Sequence, residues 1–191
     1  MTKDNWLSDE LFIVLTLPEK DVSPLTQLQK KVASDYDLFP EGKYPELHIT
    51  LNKVEHQAVQ PTTDIIKQTA ASALPIRIQV NDFTCFDNNF LVINVEETDS
   101  LLNLAARLHS QLNRHNLSTI EDYYQNWKFH ITLISDLLSN NSIPHPDFKQ
   151  MCTILDGIQQ PISTYAKAIE FWRPTLNPEK KVIASFPLIG G

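Results

Sequence analysis

An apolar-His-Ile-Thr-Leu pattern occurs twice in this chain, as Leu47-His48-Ile49-Thr50-Leu51 and again as Phe129-His130-Ile131-Thr132-Leu133, 82 residues apart. Side chains alternate between the two faces of a strand, so each copy reads as a β-strand with His and Thr on one face and apolar residues on the other. The apolar face has to be buried, and burying it fixes the backbone that presents the imidazole and the hydroxyl. Duplication of a structural unit alone would tend to keep the apolar positions. Keeping the outward His and Thr as well calls for a chemistry that uses both.

The rest of the chain supplies elements around these strands. Leu11 to Leu17 is a β-rich apolar run closed by Pro18, and Val22 to Asp35 has helical spacing with Leu25, Leu28 and Val32 on one face. A helix is predicted from Thr62 to Ala73, ended by Pro75. Strand segments at Ile76 to Val80, Phe83 to Phe86 and Phe90 to Val95 follow, the last two joined by a turn at Asn88-Asn89. Asp99 or Ser100 is read as the cap of a helix running to about His115, with Leu101, Leu104, Ala105, Leu108 and Leu112 as its apolar stripe. Beyond the second motif come a short helix from Asp147 to Leu155, an extended segment from Ile162 to Trp172, a turn from Pro174 to Glu179 and a returning strand from Lys181 to Leu188. Strands and helices that alternate and are joined by hairpins imply an α+β fold, with helices covering antiparallel sheet. No linker interrupts the pattern, so residues 1–191 are expected to form one domain.

Composition narrows the function. The net charge of −7 opposes an extended nucleic-acid surface, because such surfaces neutralise many phosphates with Lys and Arg; any phosphate site must be local. With four glycines a Gly-rich triphosphate loop is not expected. His109 and His115 are six apart and His145 has no acidic cluster, so neither a metal nor another cofactor is expected. Cys85 and Cys152, far apart and in apolar contexts, read as two buried thiols rather than a disulfide. Met1 to Glu10 lacks the basic flank of a signal peptide, and no apolar run reaches the ~18 residues of a membrane span. The expectation is a cytoplasmic monomer with no membrane partner.

Two His and two Thr suffice for phosphoester chemistry. Breaking a P–O bond needs a base for the nucleophile, an acid for the leaving oxygen and donors for the phosphoryl oxygens. His48 and His130 can supply acid and base near neutral pH, and Thr50 and Thr132 can hold the oxygens. Lys128 shares the strand parity of His130 and could extend the phosphate-facing surface, although an exposed, solvated lysine is the preferred reading. Arg173, beside Trp172, could stack on a base or make a surface ion pair. Tyr123, Tyr124 and Trp127 offer further stacking surfaces but read first as core or rim residues.

Paired His-x-Thr motifs about 80 residues apart resemble the 2H phosphoesterase superfamily. The likeness is to its bacterial branch, the 2′-5′ RNA ligase or RNA 2′,3′-cyclic phosphodiesterase group. LFIVLTLPEKDVSPLTQLQKKV is similar to the first strand and helix of that branch, PELHITLNKV to its first motif and AIEFWRPTLNPEKKVIASFPL to its closing hairpin. The resemblance implies two pseudo-symmetric lobes of antiparallel sheet around a central cleft. It implies metal-independent action on RNA 2′,3′-cyclic phosphate ends or 2′-5′ linkages, with His48 as acid and His130 as base, an ordering the superfamily does not share uniformly. Two alternatives stay open: hydrolysis of small cyclic or 2′-5′-linked oligonucleotide signals, and a non-catalytic module that binds nucleotide phosphates.

Overall fold

In the computed structural model, which describes residues 10–40, 42–86, 90–120, 127–136 and 139–189, the Leu11–Leu17 run becomes β1 (Glu10–Thr16) and is followed by α1 (Glu19–Asp35). Pro24 lies inside α1 and has no N–H for the Lys20 carbonyl; the Ser23 hydroxyl donates to that carbonyl at 3.0 Å instead. The first motif opens β2 (His48–Glu55), and α2 (Val59–Ala71) follows. Then come β3 (Arg77–Phe86), β4 (Phe90–Val95), α3 (Asp99–Arg114), β5 (His130–Ile134) with the second motif, α4 (His145–Leu155), β6 (Gln159–Tyr165), β7 (Ala168–Trp172), α5 (Pro178–Lys181) and β8 (Val182–Pro187).

The fold is α+β, with the strands in one antiparallel sheet of order β6-β3-β4-β5-β2-β1-β7-β8. It divides at its middle into two four-stranded halves, each ending in a motif strand, and the halves meet where Ile49 of β2 is registered against Ile131 of β5. The two expected lobes are therefore fused into a continuous sheet. Ile49, Leu51, Ile131 and Leu133 are all buried in the core, as the alternation required. The stripe of α3 is buried at all five expected positions. The sheet is strongly curled: β6 and β7 are far apart in its order, yet only Ala166 and Lys167 join them, donating to the Ile76 and Thr16 carbonyls.

Several expectations change. Cys85 and Cys152 form a disulfide, not two buried thiols. α4 packs on β3 and brings the two Cα atoms to 6.1 Å, within bridging range, and both residues are half-buried. Apolar sequence context could not distinguish a thiol facing the core from one facing a partner. The cap of α3 is Thr98, whose hydroxyl accepts from the Leu101 N–H, rather than Asp99 or Ser100. Ile76–Val80 and Phe83–Phe86 are parts of a single strand whose register shifts between them. Ile162–Trp172 is two strands in different halves of the sheet. The Asn88-Asn89 turn lies outside the described residues. No described helix is long and apolar enough to cross a membrane.

Candidate active site

Placing β2 beside β5 puts both motifs on the wall of one cleft of about 360 Å³. His48, Thr50, His130 and Thr132 all line it, each half-buried while the residues between them are fully buried. The two imidazoles are held alike. Nδ1 of His48 bonds to the Glu46 carbonyl at 2.7 Å, and Nδ1 of His130 to the Lys128 carbonyl at 2.9 Å, each two residues upstream. A carbonyl only accepts, so each Nδ1 carries the hydrogen and the neutral ring keeps Nε2 as its basic nitrogen. Each ring also meets an aromatic edge, His48 against Trp172 at 4.7 Å and His130 against Phe90 at 5.9 Å between centroids.

Two groups that sequence reading missed position the motifs. Gln29 of α1 is buried, and its carboxamide donates at 3.1 Å to both the Pro45 carbonyl ahead of β2 and the Leu133 carbonyl in β5. One side chain thus ties the two motif segments together. Its only sequence signal is a polar residue on the buried side of an amphipathic helix. The second is Lys181, which lines the cleft with a side chain only 14% exposed. Its ammonium lies 4.0 Å from the Trp172 ring centroid and is paired with the Glu46 carboxylate. A Lys just ahead of the last strand carries no signal of its own.

Burial, first, and the nearby Lys181 ammonium push His48 below the ordinary histidine value, against the opposing pull of its bond to the Glu46 carbonyl. In the free chain His48 is accordingly neutral at pH 7. Arg173 lines the cleft, its Nη1 donating to the Lys180 carbonyl at 3.3 Å. The Lys128 side chain is 78% exposed and paired with Glu97 at 2.9 Å, and it is not among the cleft-lining side chains; the residue serves the site through its carbonyl. Trp127 lines the cleft, whereas Tyr123 and Tyr124 lie outside the described residues. Among the described residues, no group of three or more His, Cys, Asp or Glu could hold a metal ion.

Thr50→Val and Thr132→Val test the oxyanion role, since valine keeps the β-branched shape and removes only the hydroxyl. Each is expected to lower phosphate affinity or turnover by roughly 10- to 10³-fold, the range for one lost donor. Steady-state kinetics on each variant checks this, and a loss exceeding that of the His variants would mean a different division of labour.

Two half-sheets meeting at paired His-x-Thr strands define the 2H phosphoesterase class. The model of the 2′-5′ RNA ligase superfamily matches residues 18–176, and the chain belongs to that family. Family membership makes it a phosphoesterase- or ligase-type protein. Similar solved structures include TT0787 of Thermus thermophilus, at 19% identity and a TM-score of 0.66 over 95% of this chain and 98% of that one. They also include E. coli LigT complexed with ATP, at 17% identity and TM-score 0.55, and with 3′-AMP, at 15% and 0.57, each over 94% of this chain and 98% of that one. At these identities the likeness speaks for the fold. No curated protein matches the chain.

Proposed function

We propose that this protein is a metal-independent phosphodiesterase that opens 2′,3′-cyclic phosphate ends of RNA, or handles 2′-5′ phosphodiester linkages, by two-histidine acid-base catalysis. The observation that carries this reading is the pair of His-x-Thr motifs on one cleft wall with both Nδ1 atoms fixed by main-chain carbonyls. One imidazole takes a proton from water as the water oxygen bonds to phosphorus. The other gives its proton to the 3′ oxygen as that P–O bond breaks, leaving a 2′-phosphate. Thr50 and Thr132 donate to the non-bridging oxygens. His48 as the acid requires a proton that burial in the cleft disfavours, and the negative charge of a bound phosphate restores it.

The test is turnover of a 2′,3′-cyclic nucleotide, with the product identified, after exhaustive chelation. Activity is expected to persist and to follow a bell-shaped pH profile. The doubly protonated, inactive cleft survives only below the lowered His48 value, so the acid limb of kcat/KM falls below the ordinary ~6.5 of histidine. In kcat the same limb moves upward, because substrate phosphate stabilises the imidazolium. The two limbs belong to the coupled pair of imidazoles. Activity that needs added divalent metal, or phosphate binding without turnover, overturns the reading.

A further inference from the structure

The two motifs are arranged alike, but their flanks are not. The chain carries a net −7, yet its cleft is lined by three cations, Lys53, Arg173 and Lys181, against one carboxylate, Glu46. All three cations belong to the His48 half of the sheet: Lys53 to β2, Arg173 just beyond β7, and Lys181 just before β8. The His130 half contributes Phe90, Thr132, Leu133 and Ser135, with Trp127 just ahead of β5, and no cation. A phosphate held between the two His-Thr pairs requires no such imbalance, since its donors come equally from both halves.

Arg173 and Lys181 are also locked to each other. The Arg173 N–H donates to the Lys181 carbonyl at 2.8 Å, and Nη1 of Arg173 to the Lys180 carbonyl at 3.3 Å. The guanidinium has five N–H donors and the ammonium three, more than these contacts and the Glu46 pair consume. Trp172 lies between this cationic edge and His48, touching both Lys181 and the imidazole.

We propose that Arg173 and Lys181 form a second phosphate subsite, which holds a phosphate other than the one being cleaved. The cleft is then bipartite: the reacting phosphate sits between the motifs, a neighbouring phosphate of the same substrate sits on the β7–β8 edge, and the cation-free His130 side, with Phe90 and Trp127, receives apolar or base surface. The favoured substrate class is a nucleotide carrying at least two phosphates, such as an oligonucleotide end, over a mononucleotide with one. Glu46 occupies the ammonium in the free chain and so sets the strength of the subsite. This rests on the reading of the cleft as a phosphoesterase site and specifies its substrate.

Binding tests it without requiring turnover. Titration calorimetry compares adenosine 2′-phosphate with adenosine 2′,5′-bisphosphate on the whole chain at low ionic strength. The bisphosphate is expected to bind about tenfold or more tightly, a gain of the size that charge-assisted contacts supply. Lys181→Met and Arg173→Gln are expected to shrink that ratio to about threefold or less, Lys181→Arg to retain it and Glu46→Gln to raise it, with circular dichroism confirming that each variant is folded. Equal affinity of wild type for both ligands, or a ratio unchanged in both Lys181→Met and Arg173→Gln, overturns the subsite. A chain that prefers the bisphosphate but hydrolyses no cyclic nucleotide keeps the subsite and loses the hydrolytic reading; one that hydrolyses without the preference does the reverse.

Discussion

Alanine at His48 or His130 is expected to lower turnover of a 2′,3′-cyclic nucleotide by about 10²- to 10⁴-fold, the usual contribution of one positioned acid or base. Both rings are half-buried on the polar face of their strands, and each is hydrogen-bonded to a carbonyl two residues away, so truncation leaves the apolar face behind them intact. The thermal midpoint is expected to move by only a few degrees, His48→Ala the more because its ring lies closer to Trp172, at 4.7 Å, than the His130 ring does to Phe90, at 5.9 Å. The double variant is expected to be little worse than either single one, since acid and base act as a unit. Single-turnover kinetics with thermal melts on the same preparations separates catalysis from folding. A variant with near wild-type turnover removes the two-histidine mechanism.

Reduction of the Cys85–Cys152 bridge has the largest expected effect on stability. The cysteines are 67 residues apart, and the closed loop contains β4, α3 and the whole of β5. In the chain-entropy account, opening a loop of that size costs about 4 kcal/mol, which for a domain of this length lowers the melting temperature by roughly 8–16 °C. Neither cysteine lines the His cleft, so activity per folded molecule is expected to persist in a Cys85→Ser/Cys152→Ser variant. Calorimetric melts with and without reductant check this, with thiol titration of the unfolded chain reporting the bridge. Two free thiols in the untreated protein, with a melt indifferent to reductant, would remove the bridge from the account.

The centre of the sheet was the easiest part to read, for a physical reason. A motif strand has to bury one face and expose the other, so the period of two in His-Ile-Thr-Leu encodes both its packing and the side chains it presents to the cleft, and the half-buried His and Thr with fully buried Ile and Leu follow directly. The stripe of α3 was legible likewise, because five apolar positions at helical spacing admit one burial pattern. The bridge, the curl that carries the chain from β6 to β7 in two residues, and the seating of Lys181 on Trp172 all depend on which distant segments meet, and no local pattern records that. Arg173 could be singled out because it adjoins an aromatic in sequence. Lys181 reaches the same ring only through the strand pairing of β7 with β8.

The seam between the half-sheets is held differently from the rest of the sheet. β1 and β2 are registered over seven residue pairs, whereas β2 and β5 share the single pair Ile49 and Ile131, both wholly buried. Cohesion at that line therefore rests on contact between apolar side chains more than on a ladder of peptide groups. Such contact is driven by the release of water, and it weakens on cooling while hydrogen bonding does not fade in the same way. His48 and His130 flank that joint, where the Gln29 carboxamide is a hydrogen-bonded tie between the two motif segments, so the spacing of the motif strands is expected to respond to cooling more than that of strands joined by longer ladders.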